Sequence, residues 1–566
     1  MQITAFFLLP LVPMDTRIIV AIIALFAAVI GSIIAALAGI SVPLISHWLK
    51  QREAAKKKPP SPTHTPPALG HNPYFTGREE ILAEINKKLD SAGRVVLTGI
   101  PGVGKTQTAA EYACRQSEAC QAVLWVTADS RDSLLSGFAA LAQELKLDEK
   151  DAPELDRQVR AVRAWLENRE NGKWLLVLDN ADDLALAREF MPAGRRGHIL
   201  LTARPKETGL IPGIEIEHME PDQGALFLLR RAKILAIEDR LETASVDDQE
   251  RAKSIAADLG GLPLALDQAG AYIEEKQLTL EQYQRRYRRQ GKTLRARRGD
   301  MAGPNHPMSV TTTYSMAFQA ASAENPAVAG LLRLGAFLAP ADIPEEFFTA
   351  AGREEAGETA GEMDQQHEKS HFKTWIDRLL HRPPRYSPRR LASSFEEAAG
   401  AAHRFSLLRR NRGDKTVSIH RLVREVIKDG LPLEDHQLWR ERVVQQLNHT
   451  LPWPGFENWP QCQRLLPHAM AGRHAIEDLR LESPVAADLL LKTANYLYGR
   501  ARYEQAEPLY QRALSILEKA LPGHPNLASC LDNYAAVLRQ MGRENQAEQM
   551  SERAKAIRVQ RAAAGQ

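Results

Sequence analysis

The stretch VVLTGIPGVGKT, residues 95–106, decides the fold of this 566-residue chain. An apolar run, VVLT, leads into the pattern Gly-x-x-x-x-Gly-Lys-Thr, and the helical stretch TAAEYA follows at 108–113. In this strand, loop and helix order, a glycine-rich loop holds the phosphates of a nucleotide. The candidate nucleotide-binding residues in and directly after the loop are Gly99, Gly102, Gly104, Lys105, Thr106 and Gln107.

The residue types in this loop suit a chain of phosphates. Backbone N–H groups of the glycines can close around a phosphate at the N-terminus of the next helix, where partial positive charge is concentrated. We expect Lys105 to reach the β- and γ-phosphate oxygens and the hydroxyl of Thr106 to hold Mg²⁺. ATP or ADP with Mg²⁺ is therefore the expected cofactor set, and a glycine-rich turn without a ligand is the alternative.

A candidate catalytic and metal-binding carboxylate follows an apolar run in KWLLVLDNADD, residues 173–183. We expect Asp179, at the end of this run, to lie beside the loop and to orient water bound to Mg²⁺. The next residue is Asn180, where hydrolysing enzymes of this class often have a second carboxylate as general base. Slow hydrolysis is therefore expected unless Asp182 or Asp183 supplies that carboxylate.

Short β-branched runs alternate with helical patterns, which is typical of a doubly wound α/β fold with a parallel sheet. The predicted buried strands are Val95–Thr98, Ala122–Val126, Trp174–Leu178 and Ile199–Thr202. At the end of the last strand lie Thr202, a candidate nucleotide-binding residue, and Arg204, a candidate catalytic residue that could sense the γ-phosphate. A solvated salt bridge is the alternative role for Arg204.

Composition narrows the classes of function. The chain has 73 Lys and Arg against 70 Asp and Glu, a net charge of +3, so overall charge favours no nucleic-acid partner. The basic run Arg285–Arg298 is better explained as a solvated helix end, because no DNA-reading domain is recognisable nearby. The four cysteines lack Cys-x-x-Cys spacing, which excludes a thiolate zinc module and provides no disulfide framework.

The N-terminal region has the pattern of a membrane anchor. Residues 18–45 contain no charged side chain, and about 20 apolar residues suffice to cross a bilayer. We predict an N-terminal extension at 1–16, a transmembrane helix at 17–46 and a basic, Pro-rich linker at 47–72. Because Lys and Arg concentrate after the span, the later domains are expected in the cytoplasm of a single-pass protein held by membrane lipid. A cleaved signal peptide is the alternative, but its apolar region would be only about 7–15 residues long.

An internal repeat is present at the C-terminus. The tripeptide Gln-Ala-Glu at 505–507 recurs at 546–548, a period of 41 residues, and small residues align between the copies. Paired helices with small residues at their crossing predict an α-solenoid over 483–562. Only two copies are clear, whereas roughly three are needed for an independent array. We therefore expect a helical connector at 431–482 to cap the stack.

Several motifs occur together in the order and spacing of NB-ARC domains, and the chain resembles this family. They are YFTGREEI at 74–81, the phosphate-binding loop, LLVLDNADD at 175–183, LLTARP at 200–205, GGLPLAL at 260–266 and VSIHRLV at 417–423. NB-ARC domains are the nucleotide switches of STAND-class NTPases, which include NLR immune receptors. The resemblance covers about residues 73–430, and the C-terminal repeats resemble the tetratricopeptide sensors often attached to such switches.

The resemblance implies a multidomain fold, α/β plus α. Its consecutive parts are a P-loop nucleotide-binding domain, a helical ARC domain and a winged-helix domain, at 73–215, 216–300 and 301–430. A polar stretch at 352–395 is expected to be an insertion in the winged helix. The runs Arg404–Leu408 and Thr416–His420, which flank a turn-rich NRGD, predict a hairpin that would be the wing.

Further nucleotide-binding residues follow only from the resemblance. Phe75, Gly77 and Arg78 would belong to the segment that frames the adenine. Pro263, in GGLPLAL, would pack against the base. His420 matches the histidine that contacts the ADP β-phosphate and holds the closed state.

The implied function is that of a membrane-anchored STAND NTPase. In this hypothesis the repeats sense a trigger protein or ligand, exchange of ADP for ATP opens the closed form, and the chain forms homo-oligomers in defence or stress signalling. The family usually has Asp after the histidine, whereas this chain has Arg421, which bears on how tightly the inactive state is held. The alternative is a nucleotide-stabilised membrane scaffold that recruits partners through its repeats with negligible hydrolysis.

Overall fold

The computed structural model describes residues 63–64, 72–194, 196–204, 208–298, 308–339, 342–350, 388–520 and 525–563. The predicted N-terminal extension and transmembrane helix lie outside these residues, as does most of the predicted insertion. Among the helices that the structure describes, none combines the length and the apolar character that a bilayer crossing requires.

An α/β domain with a six-stranded parallel sheet contains the phosphate-binding loop. In chain order the strands are β1 (Thr63–His64), β2 (Arg94–Thr98), β3 (Ala122–Thr127), β4 (Trp174–Asp179), β5 (His198–Thr202) and β6 (Gly213–Glu215). Their order across the sheet is β1-β3-β4-β5-β2-β6, and each neighbouring pair is parallel. The four predicted strands are confirmed, each one residue longer than predicted.

Alternation along the strands creates two hydrophobic cores, one on each face of the sheet. Leu97 and Val177 belong to one core, whereas Val96 and Leu178 belong to the other. The first core includes residues of α1 (Glu79–Ala92) and α2 (Lys105–Gln116). The second includes residues of α3 (Arg131–Glu144), α4 (Leu155–Glu167) and α5 (Leu184–Phe190). Helices on both faces confirm the doubly wound architecture.

The sheet differs from expectation in two places. Strand β5 lies between the loop strand β2 and the Asp179 strand β4, so the acidic strand is not the direct neighbour of the loop strand. The predicted linker at 47–72 also contributes structure, because Thr63 and His64 pair in parallel with Ala122 and Val123 at the sheet edge. A Pro-rich segment already favours extended backbone, and edge positions tolerate proline.

Two helical regions follow the sheet. The first contains α6 (Pro221–Arg231), α7 (Val246–Asp258), α8 (Pro263–Glu275) and α9 (Leu280–Arg298). The second contains α10 (Met308–Glu324), α11 (Ala327–Ala336), β7 (Ile343–Pro344), α12 (Glu346–Thr349), α13 (Pro388–Arg404), β8 (Arg409–Asn411), β9 (Thr416–Ser418) and α14 (Arg421–Asp429). Its three strands form an antiparallel sheet in the order β7-β9-β8.

Two predictions about this second region were wrong in detail. The hairpin's first strand is β8, not Arg404–Leu408, because Phe405 and Leu407 pack into the core where α13 ends. The predicted insertion at 352–395 extends too far, since α13 begins at Pro388 and its residue Phe395 is only 2% exposed. The apolar residues of α13 are spaced for one helix face within a charged sequence, which conceals a core helix in a polar stretch.

The C-terminal region is entirely helical in the residues that the structure describes. Its helices are α15 (Leu433–Thr450), α16 (Trp459–Asp478), α17 (Pro484–Gly499), α18 (Tyr503–Ala520), α19 (Pro525–Gln540) and α20 (Glu544–Ala563). The small residues that align between the two repeats are fully buried, as the solenoid prediction requires: Ala494, Ala513, Ala535 and Ala554. Helix α16 of the connector packs on the first repeat helix, since Gly472 lies against Leu489.

Candidate nucleotide-binding site

The phosphate-binding loop connects β2 to α2 with the backbone that its glycines permit. Gly99 has φ of +140°, and a Cβ there would lie 2.6 Å from the carbonyl oxygen of Ile216, so only glycine fits. Gly104, with φ of +98°, is the N-cap residue of α2. The first backbone N–H groups of this helix are therefore presented at the loop, which is the geometry of an anion site.

Lys105 folds over the loop. Its Nζ donates to the carbonyl oxygens of Gly99 and Ile100, at 2.7 and 3.1 Å. Burial lowers the pKa of Lys105 to about 8, although the carboxylates of Asp182 and Asp179 oppose this shift. An ammonium held in a partly dehydrated loop is a strong partner for phosphate oxygens, because charge is poorly screened there.

Asp179, Thr106 and Thr202 form one hydrogen-bonded group. The hydroxyls of Thr106 and Thr202 both donate to Oδ1 of Asp179, at 2.9 and 2.5 Å. Burial raises the pKa of Asp179, while the two hydroxyl hydrogen bonds and the charge of Lys105 oppose the shift. Three predicted site residues from three elements are thus brought together, and Asp179 reaches Thr106 of α2 although β5 separates β4 from the loop strand β2.

The donor set of this group fits Mg²⁺. Carboxylate and hydroxyl oxygens are the hard ligands that this ion prefers, and it commonly uses one or two protein groups together with water and phosphate oxygens. Asp179 and Thr106 supply two such oxygens 2.9 Å apart. Within the described residues no cluster of three or more His, Cys, Asp or Glu side chains has metal-site geometry, and a magnesium–nucleotide site does not need one.

The two carboxylates proposed as substitutes for a general base are engaged elsewhere. Asn180 has φ of +61° at the end of β4, and its backbone N–H donates to Thr202 Oγ1. Asp183 caps α5 by accepting a hydrogen bond from the backbone N–H of Leu186 at 3.0 Å. Asp182 accepts from arginines, as described next. Both carboxylates therefore already have hydrogen-bond partners, and slow hydrolysis stays a prediction.

Asp182 lies between two arginines that come from different domains. Arg204 donates to it through its backbone N–H at 2.9 Å and through Nε at 2.7 Å. Arg421, the first residue of α14, donates through Nη1 at 3.2 Å. The salt bridge considered as the alternative role for Arg204 is therefore the observed one. Sequence reasoning noticed Arg421 but not its partner, since opposite charges 239 positions apart give no local signal.

Arg78 is hydrogen-bonded to the phosphate-binding loop. It is 6% exposed, and its Nη2 donates to the carbonyl oxygens of Val103 and Glu217, at 2.6 and 3.3 Å. Burial lowers the pKa of Arg78 to about 10. The resemblance grouped Arg78 with the adenine segment, whereas its guanidinium holds the carbonyl group of Val103 in the loop and that of Glu217 after β6.

Three further predicted residues, Phe75, Gly77 and Gln107, each contact a different part of the protein. Phe75 is half-buried against the main core, and Gly77 packs against Gln223 of α6. Gln107, on α2, accepts a hydrogen bond from the side-chain amide of Asn72 at 3.0 Å. Of these three predicted residues, Gln107 is thus joined to the segment before α1, and Gly77 lies against the first helical region.

The segment GGLPLAL and the start of α14 meet the loop at Gly102. Pro263 is the first residue of α8, and the backbone N–H of Leu264 donates to the carbonyl oxygen of Gly102 at 3.3 Å. A Cβ on Gly102 would lie 3.3 Å from Cβ of Leu264 and 3.4 Å from Cδ2 of Leu422. The loop is thus in contact with both helical regions.

His420 caps α14 beside the same loop. Its Nδ1 accepts a hydrogen bond from the backbone N–H of Leu422 at 3.1 Å, which assigns the proton of the neutral ring to Nε2. The residue is exposed to solvent, although many protein atoms lie around the ring. Desolvation by these atoms, with the positive charges of Arg409 and Lys105, lowers the pKa of His420 to about 4. His420 is therefore a neutral hydrogen-bond donor at pH 7 near two positive charges.

Comparison with known proteins agrees with the domain content. Residues 87–203 match the family model of an AAA domain, and residues 485–558 match that of the tetratricopeptide repeat. The chain is 25% identical over 511 residues to a nucleotide-binding leucine-rich repeat (NLR)-like protein of Hyaloscypha variabilis. That match covers 82% of this chain and 46% of the relative, so the chain spans about half the relative's length.

Solved structures with some similarity include a Walker-type ATPase of Pyrococcus abyssi and the ORC2 protein of Aeropyrum pernix with ADPNP and ADP. Their TM-scores are 0.29 and 0.28, with 12% and 13% identity. The matches cover 62% and 63% of this chain and 96% of each of those chains. The chain carries a nucleotide-binding P-loop NTPase domain and C-terminal tetratricopeptide repeats, and it is similar to an NLR-like protein.

Proposed function

We propose that the chain is a membrane-anchored STAND-type signalling switch, and that this structure corresponds to its closed, ADP-binding form. The observation that carries the proposal is the contact of α14 with the nucleotide loop. Leu422 lies against Gly102, His420 is close enough to Lys105 for that charge to lower its pKa, and Arg421 forms a salt bridge with Asp182. A domain that touches the phosphate site directly can respond to what occupies it.

The residues suggest how closure depends on the nucleotide. The Nε2–H of His420 is available to donate to a phosphate oxygen, so bound ADP would hold α14 against the loop. Asp182 meanwhile holds the side chain of Arg204 in a salt bridge. Release of Arg421 would leave Asp182 with one arginine fewer, and Arg204 could then turn toward a triphosphate. In this scheme ATP favours the open form by its differential affinity.

Thr106 and Asp179 would hold Mg²⁺, which would neutralise phosphate charge. With Asn180 after Asp179, and with Asp182 and Asp183 engaged, we propose that hydrolysis is slow and resets the switch. We also propose that residues 308–429 form a winged helix. The three-stranded antiparallel sheet packed among helices supports that assignment.

The test uses the purified full chain. We expect bound ADP after purification, exchange for a non-hydrolysable ATP analogue, and an increase in particle mass upon exchange, measured by light scattering. Arg421→Glu should accelerate ADP release, because it places a carboxylate beside Asp182. Arg421 also pairs with Glu425 at 3.3 Å, so Glu425→Gln is the matched control and should leave release unchanged.

A constant monomer mass in every nucleotide state would reject the switch and favour the scaffold hypothesis, which the engaged carboxylates also support. The anchor is tested separately by expressing the full chain and a version that lacks residues 1–49. On forced activation by Arg421→Glu, toxicity that is specific to the full chain is expected. Equal toxicity of both versions would remove the N-terminal segment from the effector role.

A further inference from the structure

A pocket of about 380 Å³ lies where the α/β domain meets the C-terminal repeats. One wall comes from the start of α3 and the N-terminal end of α4, and the other from the turn between α17 and α18. Its charged lining residues include Glu154, Asp156, Arg160, Arg500, Arg502 and Glu504. Ligand pockets in proteins span roughly 300–1,000 Å³, so this volume suits a small metabolite.

Two arginines whose side chains are largely buried line this pocket. Arg500 is 4% exposed and stacks on Trp459, with its guanidinium carbon 4.8 Å from the ring centre. The side chain of Arg502 is 9% exposed and pairs with Asp132 through Nη2. Within the described residues, Nε of Arg500 and Nη1 of Arg502 have no hydrogen-bond partner. These two nitrogen atoms are themselves enclosed by protein, and both side chains line the pocket, so they bring fixed positive charge to its wall.

The same pocket also carries negative charge and a buried acceptor. Glu154, Asp156 and Glu504 are exposed residues of its lining. The buried Oε1 of Gln505, also in the lining, has no donor among the described residues. A simple anion would satisfy the arginines but face three carboxylates, and a simple cation would face the opposite conflict. The lining is therefore complementary to a molecule with both charges.

We propose that this pocket binds a small zwitterion, with a carboxylate or phosphate held by Arg500, Arg502 and Arg160 and an ammonium group near the carboxylates. Free amino acids and phosphorylated amines both have this chemistry. Because the two walls belong to different domains, the ligand stabilises the arrangement in which they are together. Its regulatory role, as a brake that slows ADP-for-ATP exchange, rests on the proposed function.

The site is tested on the full chain by thermal unfolding and calorimetry with free L-amino acids, phosphoethanolamine and inorganic phosphate at millimolar concentrations. We expect at least one zwitterion to raise the melting temperature and to bind in calorimetry. Arg160→Gln and Glu504→Gln, both exposed and thus compatible with folding, should each weaken binding roughly tenfold. Lys519→Gln is the control, because its ion pair with Glu482 is an exposed one on the same repeat.

The outcomes are distinct. Binding of amino acids but not phosphoethanolamine identifies a carboxylate ligand, and the reverse identifies a phosphate ligand; both support the site. Absence of any shift with every zwitterion overturns it, as does equal binding of inorganic phosphate that Glu504→Gln leaves unchanged. Zwitterion binding without an effect on ADP release overturns the brake while the site stands. A particle mass that never changes with the bound nucleotide would contradict the nucleotide switch, and this outcome is independent of zwitterion binding.

Discussion

Two groups of arginines join domains in this molecule, and their surroundings differ. At the nucleotide site, the side chains of Arg204 and Arg421 that share Asp182 are 43% and 46% exposed. At the joint with the repeats, Arg500 is 4% exposed and the side chain of Arg502 is 9% exposed. Exposed ion pairs contribute about 0–1 kcal/mol and release easily, whereas breaking a buried pair is costly. The comparison assigns reversible contact to the first group and durable attachment to the second.

The largest expected effect is a loss of nucleotide affinity, which concerns the nucleotide site and not the joint with the repeats. Lys105→Ala removes the ammonium at the loop and should weaken ADP and ATP binding by about 100-fold or more, since charged hydrogen bonds in a partly buried site are strong. Lys87→Ala, on the exposed face of α1, is the control. Calorimetry with both nucleotides measures the effect. Unchanged affinity in Lys105→Ala would contradict the nucleotide site itself.

Arg502→Met tests the durable contact between Arg502 and Asp132. This change leaves the carboxylate of Asp132 without its partner in a half-buried position and should lower the free energy of unfolding by about 2 kcal/mol. Arg553→Met, which removes the exposed pair with Glu518, is the matched control and should cost less than about 1 kcal/mol. Denaturant unfolding of the full chain measures both. Equal losses of unfolding free energy in the two variants would contradict the difference between durable and reversible contacts.

Nucleotide affinity should depend on pH through Lys105. The pKa of its ammonium in the free protein is lowered to about 8, and phosphate favours the charged form, so binding raises that pKa. Affinity is therefore full below pH 8 and falls as the pH rises through that value, by about tenfold at pH 9. The residual binding of Lys105→Arg should lack this slope, because a guanidinium does not titrate below a pH of roughly 12.

The smallest expected change in stability concerns the reversible contact. Asp182→Asn removes the charge that Arg204 and Arg421 share, yet should change the free energy of unfolding by less than about 1 kcal/mol. Its effect should appear instead as a few-fold rise in the preference for ATP over ADP, since Arg204 is released. A large loss of stability without any change in nucleotide preference would show that Asp182 forms a durable attachment and not a reversible contact.

The strands and the local part of the site were predictable because their signals are local. Short, nearly continuous apolar runs marked the buried strands, and one contiguous motif marked Gly99, Lys105 and Thr106. The group formed by Asp179 and Thr202 was also anticipated, since both end parallel strands whose carboxyl ends share one edge of the sheet. Their relative order was not, because strand order depends on long-range packing.

Contacts between domains were not predictable. The pairing of Arg421 with Asp182 depends on how two domains dock, and one sequence has no periodic signal for docking. The contact of Arg78 with Val103 lies within the α/β domain, but the two residues are 25 positions apart and give no local signal either. The same reason hid the pocket at Arg500 and Arg502, whose walls are far apart in the chain. The start of α13 was missed because its apolar residues are spaced one helix turn apart among charges.

Strand β1 also bears on how the protein avoids aggregation. An outer strand of a sheet presents unpaired backbone groups to which another chain can add. Thr63 and His64 occupy that position beside β3, and prolines stand at positions 59, 60, 62, 66 and 67 around them. Proline has no N–H to donate, so a further strand laid along this segment would find few hydrogen-bond donors. Strand β1 therefore ends the sheet on this side among the described residues, with prolines on either side of it in the sequence.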